Sequence, residues 1–228
     1  MCGLFASSKK LNTSEISKIL KRLDSRGPDD TKVRSNSMGT YIFSRLEITG
    51  RDTTYMQPLE KTNSDKKDFF LFNGEIYNYK EIKKKFKFSY KNEFSDTRVL
   101  SYLLDKFPFQ KAIKHLNGMY AIAKINDNFK EVTLSRDTFG QKPLYYSLYK
   151  NNWYISSDPY AIAIATESKL DNNQLKNFLF SNEDFGTRGL NTGETYFKNI
   201  KEVPANSIIK INKSRVLYKK IFNDKIKI

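Results

Sequence analysis

Four strand-like segments follow one another closely between residues 118 and 157, and they restrict the possible fold more than any other part of the sequence. They read GMYAIAKI, KEVTLSRD, PLYYSLY and NWYISS, are rich in β-branched and aromatic residues, and alternate with short polar turns such as NDN and KNN. Connections of hairpin length join antiparallel strands, whereas parallel strands need long crossovers. The sequence therefore predicts layered antiparallel sheets and an α+β fold.

Helices are predicted in separate groups around these strands. The first begins after Thr13 or Ser14 as the N-cap, and a later one, in SDTRVLSYLLDKF, begins after Ser95. EIYNYKEIKKKF, DPYAIAIAT and NNQLKNFLF are also predicted to be helical, and GTYIFSRLEI and DFFLFN to be strands. We expect one domain over residues 1–200, followed by C-terminal strands over residues 201–228.

Several protein classes are excluded by what the chain lacks. No stretch has the length and hydrophobicity of a membrane span, and SSKKLNTSE follows too early for a secretory signal. One cysteine and one histidine leave no thiolate-rich or zinc-like metal site. We therefore expect a cytoplasmic protein without a metal.

The net charge of +15, from 40 Lys and Arg against 25 Asp and Glu, raises the alternative of a nucleic-acid-binding protein. However, the lysines are scattered along the chain, and the densest run, EIKKKFKF, is typical of the solvated face of a helix. Neither an RNA-binding aromatic motif nor a zinc finger is present. These observations favour a generally basic surface over a specific nucleic-acid site.

The single cysteine, Cys2, directly follows the initiator Met1. A buried cysteine often serves as a small hydrophobic residue, and MCGLFA is compatible with the start of a core strand. If Met1 is removed, however, Cys2 carries a thiol and a free α-amine with reference pKa values of about 8.5 and about 7.7–8.0. Such a residue contains both a nucleophile and a base, and both interpretations stay open on this evidence.

Further side chains are candidates for a reaction at an amide. Asn73 and Gly74 offer donors for a developing oxyanion, although NG is also a common turn dipeptide. Arg45 and Asp96 are candidates for holding the carboxylate and the ammonium group of an amino acid. The same two residues are also compatible with surface ion pairs.

Eight motifs follow one another along the chain: MCGLFA, SRGPDD, SRLEIT, QPL, FNGEIYNY, SDTRVL, LNGMYAIA and SRDTFGQKPLYY. In this order and spacing they resemble the motifs of class II glutamine amidotransferases. More closely, the chain is similar to the N-terminal glutaminase domain of bacterial-type, glutamine-dependent asparagine synthetases. The resemblance covers almost the whole chain and implies a four-layer α/β/β/α sandwich with two antiparallel sheets, of the N-terminal nucleophile hydrolase type.

The resemblance also implies roles for individual residues. Cys2 matches the nucleophile, and Asn73 and Gly74 match the oxyanion pair. The residues implied to bind L-glutamine are Arg45, Leu46, Ile48, Thr49, Asn73, Gly74, Glu75 and Asp96. Among these, Arg45 matches the residue at the α-carboxylate, and Glu75 and Asp96 match those at the α-ammonium group. A loop that shapes the site is implied for Arg26, Gly27, Pro28 and Asp29, and SRDTFGQKPLYY matches a structural hairpin.

The resemblance finally implies a partner and the absence of cofactors in this chain. Asparagine synthetases continue into a domain that binds ATP and Mg²⁺ through a Ser-Gly-Gly-x-Asp-Ser loop, and no such loop occurs here. We therefore expect the chain to release ammonia for a synthetase domain or subunit. Two alternatives stay open: a glutaminase for another acceptor such as an amino sugar, and a non-catalytic interaction module. The sequence does not define the oligomeric state.

Overall fold

Two antiparallel sheets form the centre of the computed structural model, which describes residues 1–47, 56–60, 68–88, 95–126, 128–180 and 193–221. Twelve strands lie within these residues: β1 (Gly3–Ser7), β2 (Asp30–Asn36), β3 (Gly39–Arg45), β4 (Leu59–Glu60), β5 (Phe69–Ile76), β6 (Gly118–Ile125), β7 (Glu131–Arg136), β8 (Tyr145–Tyr149), β9 (Asn152–Ser156), β10 (Lys201–Glu202), β11 (Ser207–Asn212) and β12 (Val216–Lys220). Sheet A has the order β10-β8-β9-β1-β3-β2, and sheet B has the order β12-β11-β7-β6-β5-β4. All paired strands are antiparallel, as predicted.

Helices cover the outer face of each sheet. Those in the described residues are α1 (Thr13–Asp24), α2 (Tyr79–Phe86), α3 (Asp96–Lys106), α4 (Phe109–Ile113), α5 (Pro159–Thr166) and α6 (Asn172–Phe180). Apolar residues of α1 and α5 pack on sheet A, and those of α2, α3 and α4 pack on sheet B. A third cluster fills the space between the sheets. The predicted four-layer α/β/β/α sandwich is therefore confirmed.

Strand β1 lies inside sheet A, between β3 and β9. Leu4 and Ala6 point toward sheet B, whereas Phe5 points toward α1 and α5. Because successive side chains of a strand face opposite sides, a strand covered on both sides is apolar throughout instead of alternating. All five residues of β1 are buried, and Cys2 immediately precedes this fixed strand.

Two predicted helix starts differ from the structure. The N-cap of α1 is Asn12, not Thr13 or Ser14, because its side chain accepts a hydrogen bond from the Glu15 N–H while the Glu15 carboxylate binds the Asn12 N–H. Helix α2 begins at Tyr79 instead of near residue 75, since the pairing of β5 with β6 continues to the end of β5. The prediction of Ser95 as the N-cap of α3 is confirmed.

The segment SRDTFGQKPLYY is not a hairpin. Strand β7 belongs to sheet B and β8 to sheet A, so the turn between them carries the chain from one sheet to the other. Asp137 fixes this turn, because its carboxylate accepts hydrogen bonds from the N–H groups of Tyr120, Phe139 and Gln141. The buried Arg136 donates to the carbonyl groups of Gly140 and Val203. These contacts set the path of the residues up to Lys142.

The last three strands are divided between the two sheets. Strand β10 pairs with β8 in sheet A, whereas β11 pairs along its whole length with β7 in sheet B, and β12 forms the outer edge of sheet B. Strands β10, β11 and β12 thus complete the same two sheets that contain β1 and β5. Among the helices of the described residues, none combines the length and hydrophobicity that crossing a bilayer requires.

Candidate active site

A cavity of about 230 Å³ brings together most of the residues that the sequence nominated. Its lining residues lie at the start of β1, the end of β3, the C-terminal half of β5 and the first turn of α3. The nominated residues that line it are Cys2, Arg45, Leu46, Asn73, Gly74, Glu75 and Asp96. Residues nominated from four separate motifs therefore share one cavity.

Cys2 is held at the cavity by the buried strand β1, which begins at the next residue. Its side chain is half-buried, and the Sγ atom lies 3.8 Å from the carbonyl oxygen of Leu46, within reach of a weak S–H hydrogen bond. Met1 precedes it and is exposed. Burial is the largest of the effects that lower the pKa of the α-amine of Met1, and the nearby cations Arg26 and Lys142 lower it further.

Asn73 supplies an unpaired donor to the cavity. Its side chain is only 2% exposed, yet within the described structure the buried Nδ2 atom has no hydrogen-bond partner. Buried polar groups are usually paired, so an orphaned amide beside a cysteine indicates a place for an external acceptor. Gly74 follows it, and an added Cβ there would lie 2.2 Å from the Met119 carbonyl oxygen of β6. Only glycine therefore fits against β6 at this position.

Opposite charges stand in different walls of the cavity. Arg45 ends β3, and its guanidinium nitrogen Nη2 lies 3.6 Å from Glu47 Oε1. Asp96 opens α3, where its Oδ2 atom accepts the Ile76 N–H at 2.9 Å and its Oδ1 atom accepts the Thr97 N–H at 2.6 Å. Burial raises the pKa of Asp96 despite these hydrogen bonds. The arrangement suits a ligand with one negative and one positive end.

The predicted loop supports the site but does not line the cavity. It consists of Arg26, Gly27, Pro28 and Asp29. The Asp29 N–H donates to the Arg45 carbonyl at 3.0 Å, and the Asp29 carboxylate accepts the Glu47 N–H at 2.6 Å. Gly27 packs so closely that an added Cβ would lie 2.2 Å from the Ser44 carbonyl oxygen. Arg26 reaches the start of the chain, with Nη2 4.0 Å from Met1 Sδ. Ile48 and Thr49 lie outside the described residues.

Gln57 and Lys142 are among the cavity residues that were not nominated from the sequence. Gln57 is 5% exposed, and its side-chain amide donates to the Phe72 carbonyl at 2.9 Å and accepts the Phe72 N–H. It thereby acts as a strand neighbour for β5 directly before Asn73, and the motif QPL was its only sequence indication. Lys142, at the end of the inter-sheet turn, also lines the cavity.

His115, the single histidine, lies among aromatic side chains. The His115 ring packs edge-on against Phe86, with ring centroids 5.0 Å apart. In the part of the chain that the structure describes, no three His, Cys, Asp or Glu side chains are grouped so that they could hold a metal ion.

The chain belongs to the glutamine amidotransferase domain family, whose model matches residues 1–222. It is 30% identical over 177 residues to a putative glutamine-hydrolyzing asparagine synthetase of Methanocaldococcus jannaschii, which covers 69% of this chain and 34% of that protein. The glutamine-hydrolyzing asparagine synthetase of Rattus norvegicus is 30% identical over 176 residues, or 74% of this chain and 29% of its own. The chain spans about a third of the length of these relatives.

Solved structures share the fold. One, described as the allosteric regulatory enzyme of purine biosynthesis, superimposes with a TM-score of 0.71 at 15% identity and covers 97% of this chain and 49% of its own. The glutamine phosphoribosylpyrophosphate amidotransferase of B. subtilis gives a TM-score of 0.70, also at 15% identity, with the same coverage of 97% and 49%. The family assignment and the observed sandwich therefore agree with the resemblance found in the sequence.

Proposed function

We propose that this chain hydrolyses L-glutamine to glutamate and ammonia, with Cys2 as the nucleophile. The observation that supports this most strongly is the orphaned Nδ2 of Asn73 in the same cavity as the only thiol. An amide carbonyl placed between these two groups would become an oxyanion when the thiolate attacks. Donors aimed at such an oxyanion are among the largest contributions to catalysis of acyl transfer.

The proposed reaction begins with removal of Met1, which exposes the α-amine of Cys2. This amine takes the thiol proton, and the thiolate attacks the side-chain amide carbon of glutamine. Asn73 Nδ2 and the Gly74 N–H donate to the oxyanion of the tetrahedral intermediate. The proton passes from the α-amine to the leaving nitrogen, and ammonia departs. Water then hydrolyses the γ-glutamyl thioester, which releases glutamate and restores the thiol.

The charged walls orient the substrate in this proposal. Arg45 binds the α-carboxylate, and Asp96 and Glu75 bind the α-ammonium group. Leu46 contributes to the wall beside Cys2, while Ile48 and Thr49 extend the same segment of the sequence. The loop at Asp29 keeps Arg45 and Glu47 in place through its backbone and carboxylate hydrogen bonds. A ligand with only one of the two charged ends leaves the opposite wall unpaired, so the site selects an α-amino acid.

The ammonia acceptor is proposed from the relatives. Both relatives reported above are described as glutamine-hydrolyzing asparagine synthetases, and this chain matches about a third of each. We therefore propose that the ammonia serves an asparagine-forming synthetase domain or subunit. Such a partner, and not this chain, would bind ATP and Mg²⁺.

The test is an assay of the purified chain with glutamine and without ATP, following both glutamate and ammonia. We expect turnover by the natural chain and none by Cys2→Ala or Cys2→Ser. Thermal unfolding of the three proteins serves as a control for folding. Glutamate formation by Cys2→Ala at a near-normal rate would contradict the proposal. Tight glutamine binding without turnover by the natural chain would instead favour the non-catalytic interaction module.

A further inference from the structure

Another cavity, of about 490 Å³, lies where the C-terminal end of α1 meets the N-terminal turn of α5. Among the described residues, none that lines it also lines the cavity of Cys2. Two arginines and four aromatic side chains contribute to its walls: Arg22, Arg26, Tyr145, Tyr160, Tyr196 and Phe197. Cavities that bind small molecules commonly have volumes of about 300–1,000 Å³. The size therefore suits a small organic molecule.

Arg26 brings an unpaired donor to the wall of this cavity. Its side chain is half-buried, and its buried Nε atom has no hydrogen-bond partner in the part of the chain that the structure describes. Its Nη2 atom lies 4.0 Å from Met1 Sδ, and a thioether sulfur is a weak acceptor. Burial is the largest of the effects that lower the pKa of Arg26, so its charge is incompletely solvated. Such a guanidinium group favours an external anion, which it can bind through two parallel N–H groups.

The other charges of this wall compensate each other. Arg22 Nε donates to Asp158 Oδ2 at 2.7 Å, and Asp158 Oδ1 accepts the Tyr160 N–H at 2.8 Å. Apart from tyrosines, the ionisable side chains that line this cavity within the described residues are Arg22, Arg26 and Asp158. One positive charge, that of Arg26, is therefore left over. An anionic group of the ligand would compensate it.

An aromatic surface stands beside these charges. The Tyr160 side chain is 49% exposed, and its ring centroid lies 5.7 Å from that of Phe197. The guanidinium carbon of Arg22 lies 5.6 Å from the same Tyr160 centroid. Aromatic rings prefer offset-stacked or edge-to-face contacts with other flat rings. This wall thus suits a flat ring more than a flexible aliphatic chain.

We propose that this cavity binds a small molecule in which a flat ring carries an anionic group, with the anion at Arg26 and the ring against Tyr160 and Phe197. The glutaminase reaction proposed above does not use this cavity, so this inference does not depend on it. Two kinds of molecule share the required chemistry, an aromatic carboxylate and a nucleoside monophosphate. Because a carboxylate carries a single charge, it matches the uncompensated charge of Arg26 more closely.

The test is titration calorimetry of the full chain with benzoate and adenosine monophosphate as probes. Benzamide and adenosine lack the anionic group, and cyclohexanecarboxylate lacks the flat ring. We expect saturable binding of benzoate, weaker binding of adenosine monophosphate, and much weaker binding of the three control compounds. Binding of adenosine monophosphate alone would support the site and assign it to a nucleotide. If neither probe bound at millimolar concentration, or if the controls bound as tightly as benzoate, the proposal would be overturned.

Two arginine variants locate the bound probe. Arg26→Gln should weaken benzoate binding by about tenfold or more, as for the loss of a charge-assisted hydrogen bond. Arg45→Gln removes the arginine of the Cys2 cavity and should leave benzoate binding unchanged. The reverse pattern would place the probe in the Cys2 cavity and contradict the proposal.

A tyrosine variant tests the aromatic wall without changing a buried cation. Tyr160→Leu should weaken benzoate binding several-fold, whereas Tyr218→Leu, on the exposed strand β12, is the matched control. Unchanged binding in Tyr160→Leu would refute the proposed position of the ring. Thermal unfolding checks that each variant folds. If Arg26→Gln fails to fold, Arg26→Lys replaces it, because lysine keeps the charge but lacks the planar fork and should also bind benzoate more weakly.

Discussion

The carboxylate of Asp96 accepts a hydrogen bond from the backbone N–H of Ile76, with 2.9 Å between the two atoms. This contact ties the first residue of α3 to the end of β5, three residues beyond Asn73. The proposed substrate-binding anion and the proposed oxyanion donor are thus fixed to each other through one strand. Burial also raises the pKa of this carboxyl, which makes its charge sensitive to pH.

Acidification is expected to weaken glutamine binding through Asp96. Because its pKa is raised, this carboxyl takes up a proton at a higher pH than an ordinary aspartate, and its protonated form offers no charge to the α-ammonium group. The KM for glutamine should therefore rise as the pH falls through that range. Asp96→Asn should have a raised KM already at neutral pH and lack this dependence. A pH-independent KM in the natural chain, measured over the same range, would contradict the substrate orientation.

Asn73→Ala is expected to reduce catalysis without unfolding the protein. Loss of one oxyanion donor lowers kcat by about 10²–10³-fold, with a smaller effect on KM. Since Nδ2 has no partner within the described structure, the free energy of unfolding should change by about 1 kcal/mol or less. Steady-state kinetics and chemical denaturation check the two parts. A large loss of stability at unchanged kcat would assign Asn73 a structural role instead.

Gln57→Ala, unlike Asn73→Ala, is expected to destabilise the fold. Its side chain pairs both polar groups of the Phe72 backbone, and truncation leaves a buried N–H and a buried C=O without partners. We expect the free energy of unfolding to fall by about 2 kcal/mol or more. The matched comparison is chemical denaturation of Asn73→Ala, which also removes a side-chain amide from the wall of the cavity. Equal stabilities of the two variants would show that Gln57 does not support β5.

Asp29→Ala is expected to loosen the segment that carries Arg45. The variant loses the hydrogen bond from the Glu47 N–H to the Asp29 carboxylate, whereas the backbone bond from the Asp29 N–H to the Arg45 carbonyl stays. KM for glutamine should rise several-fold while kcat changes little. Asp30→Ala, at the neighbouring exposed position, is the control. If both variants behaved like the natural chain, the loop would not support the binding wall.

Activity is expected to require removal of Met1. While Met1 is attached, the nitrogen of Cys2 belongs to a peptide bond and has no basic lone pair for the thiol proton. Intact-mass analysis of active protein should therefore show a chain that begins at Cys2. Protein produced with its methionine aminopeptidase inhibited should be inactive until it is treated with that enzyme. Full activity of the Met1 form would exclude the α-amine as the base.

Local patterns predict the antiparallel sheets, whereas the four layers and part of the nominated cavity residues were implied by the resemblance. Short polar turns between apolar strands indicate antiparallel sheets, and motifs such as FNGEIYNY carry the residues that line the cavity. The capping of α1 by Asn12 was missed because Thr13 and Ser14 are equally acceptable caps, and only the reciprocal bonds with Glu15 decide between them.

Residues that reach the cavity by long-range pairing were harder to predict. Gln57 takes part only because its segment runs beside β5, and nothing in QPL shows that its amide replaces a strand neighbour. Lys142 reaches the cavity because the turn after β7 crosses between sheets, whereas the sequence favoured a hairpin there. The roles assigned to the nominated residues stay predictions, since their positions in a cavity do not measure turnover.

The placement of β1 has a consequence for the order in which a nascent chain matures. Its neighbours are β3 and β9, and Phe5 stands opposite Ser156, so the strand that follows Cys2 is completed only when the chain has been made beyond that residue. Contacts so distant in sequence are slow to form, because a long loop must close first. Cys2 is thus synthesised well before the residues of β9 that pair with the strand following it. A nascent chain therefore contains this thiol before the cavity around it can form.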